Sequence, residues 1–77
     1  MKVTLYTSAD CGLCRKTEAM LRRLQAKIRF DLDLVDIGES DDLFRRYWDR
    51  IPVVMADGRE VAAAPVDEKR LAAALRA

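Results

Sequence analysis

The chain has 77 residues, 51% apolar and 35% charged, a balance that excludes a disordered tail and a membrane-spanning bundle. Fourteen Lys and Arg against thirteen Asp and Glu leave a net charge of +1, which gives no electrostatic footing for nucleic acid or an anionic membrane surface as partner. The sequence contains no histidine, so a Ser-His or Cys-His catalytic pair is excluded outright.

The length suits one domain over residues 1–77, with a marginal core. Val3 and Leu5, with Thr4 and Tyr6 between and beside them, read as a first strand. From Gly12 the positions Leu13, Thr17, Met20, Leu21, Leu24 and Ile28 recur at helical spacing, which predicts an amphipathic helix of about four turns. Phe30, Leu32 and Leu34 then alternate with Arg29, Asp31 and Asp33, the period of a half-buried strand whose charged positions suit a sheet edge. Gly38-Glu39-Ser40 breaks this strand. Ser40 is a good N-cap for a short second helix, with Asp41 and Asp42 in its first turn, Arg45 and Arg46 near its end, and Leu43, Phe44 and Tyr47 turned inward.

Ile51-Pro52-Val53-Val54-Met55 predicts a strand opened by a proline. Asp57-Gly58 is a two-residue hairpin signal, since both central positions of a type I′ turn need positive φ. Arg59 to Ala62 returns antiparallel. Asp67 then caps a last helix, Val66 packs on Leu71 as a hydrophobic staple, and Leu71 and Leu75 form the buried stripe. The order is β-α-β-α-β-β-α. A parallel βαβ pair plus an antiparallel hairpin predicts an α/β fold with a four-stranded mixed sheet flanked by helices.

The two cysteines both fall in Cys11-Gly12-Leu13-Cys14, whereas a secreted disulfide scaffold of this size would spread four to eight along its length. No N-terminal apolar run predicts a signal peptide, so the expected setting is a reducing compartment, the cytoplasm. A helix N-terminus offers unpaired N–H groups and partial positive charge, which favour a thiolate. Cys11, just ahead of the helix, is therefore the candidate nucleophile; Cys14, one turn in, is placed to resolve a mixed disulfide. Asp10 opposes a lowered Cys11 pKa, while Arg15 and Lys16 promote it. A metal site is not predicted: two soft ligands fall short of the four that a structural zinc site needs, unless two chains share it. Tyr47 and Trp48 are assigned to packing, with no functional role.

These residues resemble the thioredoxin superfamily, and within it the short glutaredoxin-like proteins. The resemblance spans essentially the whole chain and rests on Leu5-Tyr6-Thr7-Ser8 before the first cysteine, the CxxC, and the Arg50-Ile51-Pro52-Val53-Val54 run. It implies a thioredoxin-like fold, a cis proline at Pro52 facing the dithiol, and backbone at Ile51 that pairs with substrate. It further implies a monomeric thiol–disulfide oxidoreductase acting on protein or small-molecule disulfides, with the redox-active Cys11–Cys14 disulfide and no other required cofactor. The pattern for glutathione is incomplete. Ser8 stands where glutathione-using members have a lysine, and Val61-Ala62-Ala63-Ala64-Pro65-Val66-Asp67 lacks their Gly-Gly pair. The alternative is a redox-inactive module of the same fold that binds a peptide or a metal.

Overall fold

The computed structural model describes residues 1–76, so the last position of the expected domain, Ala77, lies outside the described residues. Four strands, β1 (Lys2–Thr7), β2 (Asp31–Asp36), β3 (Val53–Ala56) and β4 (Arg59–Ala63), form one sheet in the order β2-β1-β3-β4. The β1 and β2 strands run parallel, with Val3 opposite Leu32 and Leu5 opposite Leu34, and α1 (Gly12–Gln25) crosses between them. The β3 strand is antiparallel to both β1 and β4. Short α2 (Asp41–Tyr47) and terminal α3 (Glu68–Arg76) complete the expected order. The architecture is the mixed α/β sheet that the hydrophobic periodicity predicts.

The core sits between one face of this sheet and the helices α1 and α3. Val3, Leu5, Val54 and Ala56 supply the sheet side, with Leu21 and Leu24 from α1 and Leu71 and Leu75 from α3. Val66 and Ile28 pack against the same cluster. Successive strand residues point to opposite faces, so Tyr6 and Val53 look the other way. There the Tyr6 ring stacks on Tyr47 of α2, centroids 4.6 Å apart, which places α2 on the second face.

That second face departs from expectation. Leu43 and Tyr47 are half-buried, with Tyr47 turned onto the sheet as expected, but Phe44 is 52% exposed and α2 contains no fully buried residue. Burial comes instead from Ile37, which is 2% exposed in a 3₁₀ turn (Ile37–Glu39) just before α2. Two turns of helix present too narrow a stripe to cover the sheet alone. Ser40 caps α2 as predicted, accepting the Leu43 N–H.

Leu34 shares the face of its partner Leu5 yet is 39% exposed. Its partner Leu5 has strands on both sides and is wholly buried, while β2 lies at the sheet edge. Phe30 is buried but precedes β2, and Ile28 lies beyond α1. The strand expected to open at Ile51 begins at Val53: Ile51 N–H donates to the Tyr47 carbonyl, closing the end of α2, and a proline has no N–H to give the ladder. At the hairpin both Asp57 (φ 49°) and Gly58 (φ 86°) adopt positive φ, as the turn chemistry requires. Asp57 further donates its N–H to the Lys2 carbonyl and accepts the Lys2 N–H on its side chain, at 2.9 Å each. The β3–β4 register slips by one residue between Val54 and Met55, so the pair carries a bulge.

Candidate active site

The end of β1 delivers the chain into a loop, and Cys11 emerges from it as the N-cap residue of α1. Its backbone is extended, its N–H donates to the Ser8 carbonyl at 3.3 Å, and its sulfur accepts the Cys14 N–H at 3.0 Å. Sulfur here takes the place of the oxygen that usually satisfies a first-turn donor. No acidic residue lies in the first turn of α1, so no carboxylate competes for these N–H groups. Arg15 folds back and donates from Nη1 to the Ala9 carbonyl at 3.1 Å, bracing the loop that carries Cys11.

Cys11 and Cys14 are joined as a disulfide with Cα atoms 5.2 Å apart. Their environments differ. Cys14 is 1% exposed, whereas Cys11 is half-buried and open to solvent on one side. Leu13, expected on the helix stripe, is instead 56% exposed beside the two sulfurs.

A groove of about 100 Å³ runs alongside the CxxC turn, walled by Leu13 from between the two cysteines but by neither cysteine itself. Leu13, Thr17 and Met20 line it from α1, and Lys16 is the one charged side chain on its wall. Pro52 forms another wall, preceded by a cis peptide bond at Ile51–Pro52. The far wall is Pro65 and Val66, in the segment joining β4 to α3, where Ala64–Pro65 is a second cis bond. The structure thus gathers Cys11, Cys14, Pro52 and Pro65 at one end of the sheet. Nothing in the sequence signals the part played by Pro65, because no local periodicity ties position 65 to Leu13.

Ser8 contributes its carbonyl to the Cys11 loop. Ala63 ends β4, and Ala64 leads into the proline wall, so the stretch without Gly-Gly forms an apolar boundary to the groove. Arg50, next to Ile51, is engaged elsewhere: its guanidinium pairs with Glu60 at 2.5 Å and lies 5.9 Å from the Tyr47 ring centre. That hydrogen bond to Glu60, and the charge of Glu60, hold the Arg50 pKa above its ordinary value. Trp48 is 59% exposed at the end of α2. Among the described residues no group of three potential metal-ligating side chains comes together, and no helix is long and apolar enough to cross a membrane.

A four-stranded mixed sheet with a CxxC at the first helix start and a cis proline opposite defines a protein of the thioredoxin superfamily. Thioredoxin 1 from Thermosipho africanus superposes with a TM-score of 0.73 over 99% of this chain and 91% of that one, at 12% identity, a likeness of fold alone. The glutaredoxin-like domain family (DUF836) matches residues 2–76, and the chain belongs to that family. An X-ray structure of a protein from X. campestris is 33% identical, with a TM-score of 0.82 and coverage of 96% of this chain and 95% of that one. A solution NMR structure from Nitrosomonas europaea is 34% identical, with a TM-score of 0.81 and coverage of 96% and 89%. An uncharacterized protein of Mycobacterium tuberculosis is 35% identical over 94% of this chain and 79% of its own length.

Proposed function

We propose that the protein is a thiol–disulfide oxidoreductase acting through Cys11 and Cys14. The observation that carries this reading is the bond between a half-buried N-cap sulfur and a fully buried sulfur one helical turn away. In the reduced protein the first-turn N–H groups and the helix dipole favour the Cys11 thiolate. That thiolate attacks one sulfur of a substrate disulfide, forming a Cys11–substrate bond and releasing the other substrate sulfur as a thiolate. Cys14 then loses its proton to solvent and attacks the Cys11 sulfur. The protein disulfide forms, and the second substrate thiolate leaves. Two electrons have passed to the substrate, whose thiolates take up protons from water. A low-molecular-weight thiol or a dithiol reductase returns the pair to its reduced form, being itself oxidised to a disulfide.

Burial of Cys14 makes the order of events one-way, because a bulky disulfide reaches only Cys11 from outside. Ile51 and Pro52 are assigned to substrate binding: Pro52 lines the groove, and the Ile51 backbone is the proposed partner for an extended substrate. The enzyme is proposed to act as a monomer in a reducing compartment, the cytoplasm, on disulfides of proteins or small molecules. Glutathione is proposed as at best a weak donor or substrate, because Ser8 and Ala63–Ala64 stand where glutathione-using members have the lysine and the Gly-Gly pair.

The test uses the reduced protein with 2-hydroxyethyl disulfide. Wild type should consume both its thiols, Cys11→Ser should lose exchange, and Cys14→Ser should stop at a mixed disulfide on Cys11. Alkylation of Cys14→Ser against pH should give an apparent pKa below the free-thiol value of about 8.5. Thiols that stay unreactive toward the disulfide would instead mark a redox-inactive binding module.

A further inference from the structure

We infer that the groove beside the dithiol selects polypeptide disulfides in which the substrate cysteine is flanked by an aliphatic side chain and an acidic one. This rests on the oxidoreductase reading and adds a substrate class to it. The groove holds about 100 Å³, somewhat less than the roughly 150 Å³ of an apolar cavity that takes up benzene, which is space on the scale of one branched aliphatic side chain. Its walls offer such a side chain Leu13, Met20, Pro52, Pro65 and Val66. Both prolines lack an N–H, so neither wall presents that donor to a polar ligand.

Charge supplies the second half of the selection. Lys16 is the one charged lining residue, so nothing of opposite sign on the wall neutralises it. Arg15, the adjacent cation, is turned away to the Ala9 carbonyl. Lys16 is exposed, on the same helix as the cysteines, and long enough to meet a carboxylate at the mouth of the groove. Leu13 stands between the two cysteines in sequence and is 56% exposed, so an aliphatic neighbour of the substrate cysteine meets it as soon as the sulfurs approach. Glutathione offers a carboxylate but no aliphatic side chain, and satisfies half of these requirements.

The experiment follows oxidation of the reduced full chain by symmetric disulfides of N-acetylated, C-amidated tripeptides, at one pH and one ionic strength. The sequences are Glu-Cys-Leu, Glu-Cys-Ser and Lys-Cys-Leu, with glutathione disulfide and 2-hydroxyethyl disulfide alongside. Glu-Cys-Leu should react about tenfold faster than Glu-Cys-Ser, the scale of discrimination an apolar pocket supplies for a small aliphatic group. It should exceed Lys-Cys-Leu by about threefold, as an exposed ion pair allows. Two variants locate the selection at surface positions the core does not need. Leu13→Ser should reduce the Leu-over-Ser preference, and Lys16→Glu should reverse the Glu-over-Lys preference. Equal rates for Glu-Cys-Leu and Glu-Cys-Ser would overturn the inference, as would preferences that neither variant moves. Brisk exchange with 2-hydroxyethyl disulfide in those cases would leave the oxidoreductase reading standing. A protein inert to every disulfide would sink both.

Discussion

Gly12 and Gly58 are the same residue type under opposite demands. Gly58 sits at φ 86° in the hairpin, where any Cβ is conformationally penalised although no atom lies within 4 Å of it. Gly58→Ala should therefore destabilise the protein by about 1–2 kcal/mol in urea unfolding, the cost of an L-residue in left-handed backbone. Gly12 opens α1 with open space around its missing Cβ and ordinary helical φ. Gly12→Ala should leave stability unchanged or raise it by up to about 1 kcal/mol, since alanine gives up less backbone entropy in a helix. Equal losses at both positions would mean that contacts, rather than backbone conformation, set the cost. The turn at Asp57–Gly58 was legible from the dipeptide alone. The hydrogen bonds between Asp57 and Lys2 were not, because they join positions 55 residues apart.

Among the elements, the central strand and the two long helices announce themselves and the short helix misleads. Leu21, Leu24, Leu71 and Leu75 are buried where helical spacing puts them. Phe44 is not, because the pattern of a two-turn helix is too brief to say which face is covered. Ile37 gives no sequence signal for a related reason: one residue in a 3₁₀ turn has no period. The α1 and α3 helices are also tied by Arg23 and Glu68, 2.6 Å apart on the surface. The Arg23 hydrogen bond holds the Glu68 carboxyl below its ordinary value of 4.5, against an opposing desolvation, with the Arg23 and Lys27 charges adding smaller effects in the same direction as the hydrogen bond. A carboxyl pKa depressed by folding contributes stability above the unfolded value and loses it as pH falls through the folded one. Acid titration of the unfolding midpoint should thus show a wild-type loss below pH 4.5 that is reduced in Arg23→Gln, and high salt should narrow the difference between them. Parallel acid profiles for the two proteins would show that the pair contributes nothing.

At the scale of the whole molecule, the cysteine pair and Pro52 could be read from the sequence, and the groove that Leu13 and Pro52 help to wall could not. Its far wall comes from Pro65 and Val66, some 50 residues after Leu13 in the chain, and only the return of β4 along β3 brings them alongside. Within the core the balance is similarly distributed. Val3, Leu5 and Val54 are fully buried at the meeting of β1 and β3, while the edge strands β2 and β4 contain no fully buried residue. A chain of this length has few such positions to lose, so stability rests on the strand pair that also aims the dithiol loop.

The strand register has a consequence for how much this protein can change without losing its chemistry. The end of β1, the start of α1, Pro52 and the segment after β4 converge at one end of the sheet, while the Asp57–Gly58 turn lies at the other, beside Lys2. One end is committed, and the opposite end has latitude for insertion and drift. Four Gly and Ser residues added between Asp57 and Gly58 should cost about 1 kcal/mol of loop-closure entropy, plus whatever the lost turn conformation supplied. The rate of exchange with 2-hydroxyethyl disulfide should stay at the wild-type value. A slowed rate in a folded variant would show that the turn and the sulfurs are mechanically linked through β3. An unchanged rate would mark this turn as the place where a binding tag, a partner domain or a reporter can be grafted while the thiols keep working.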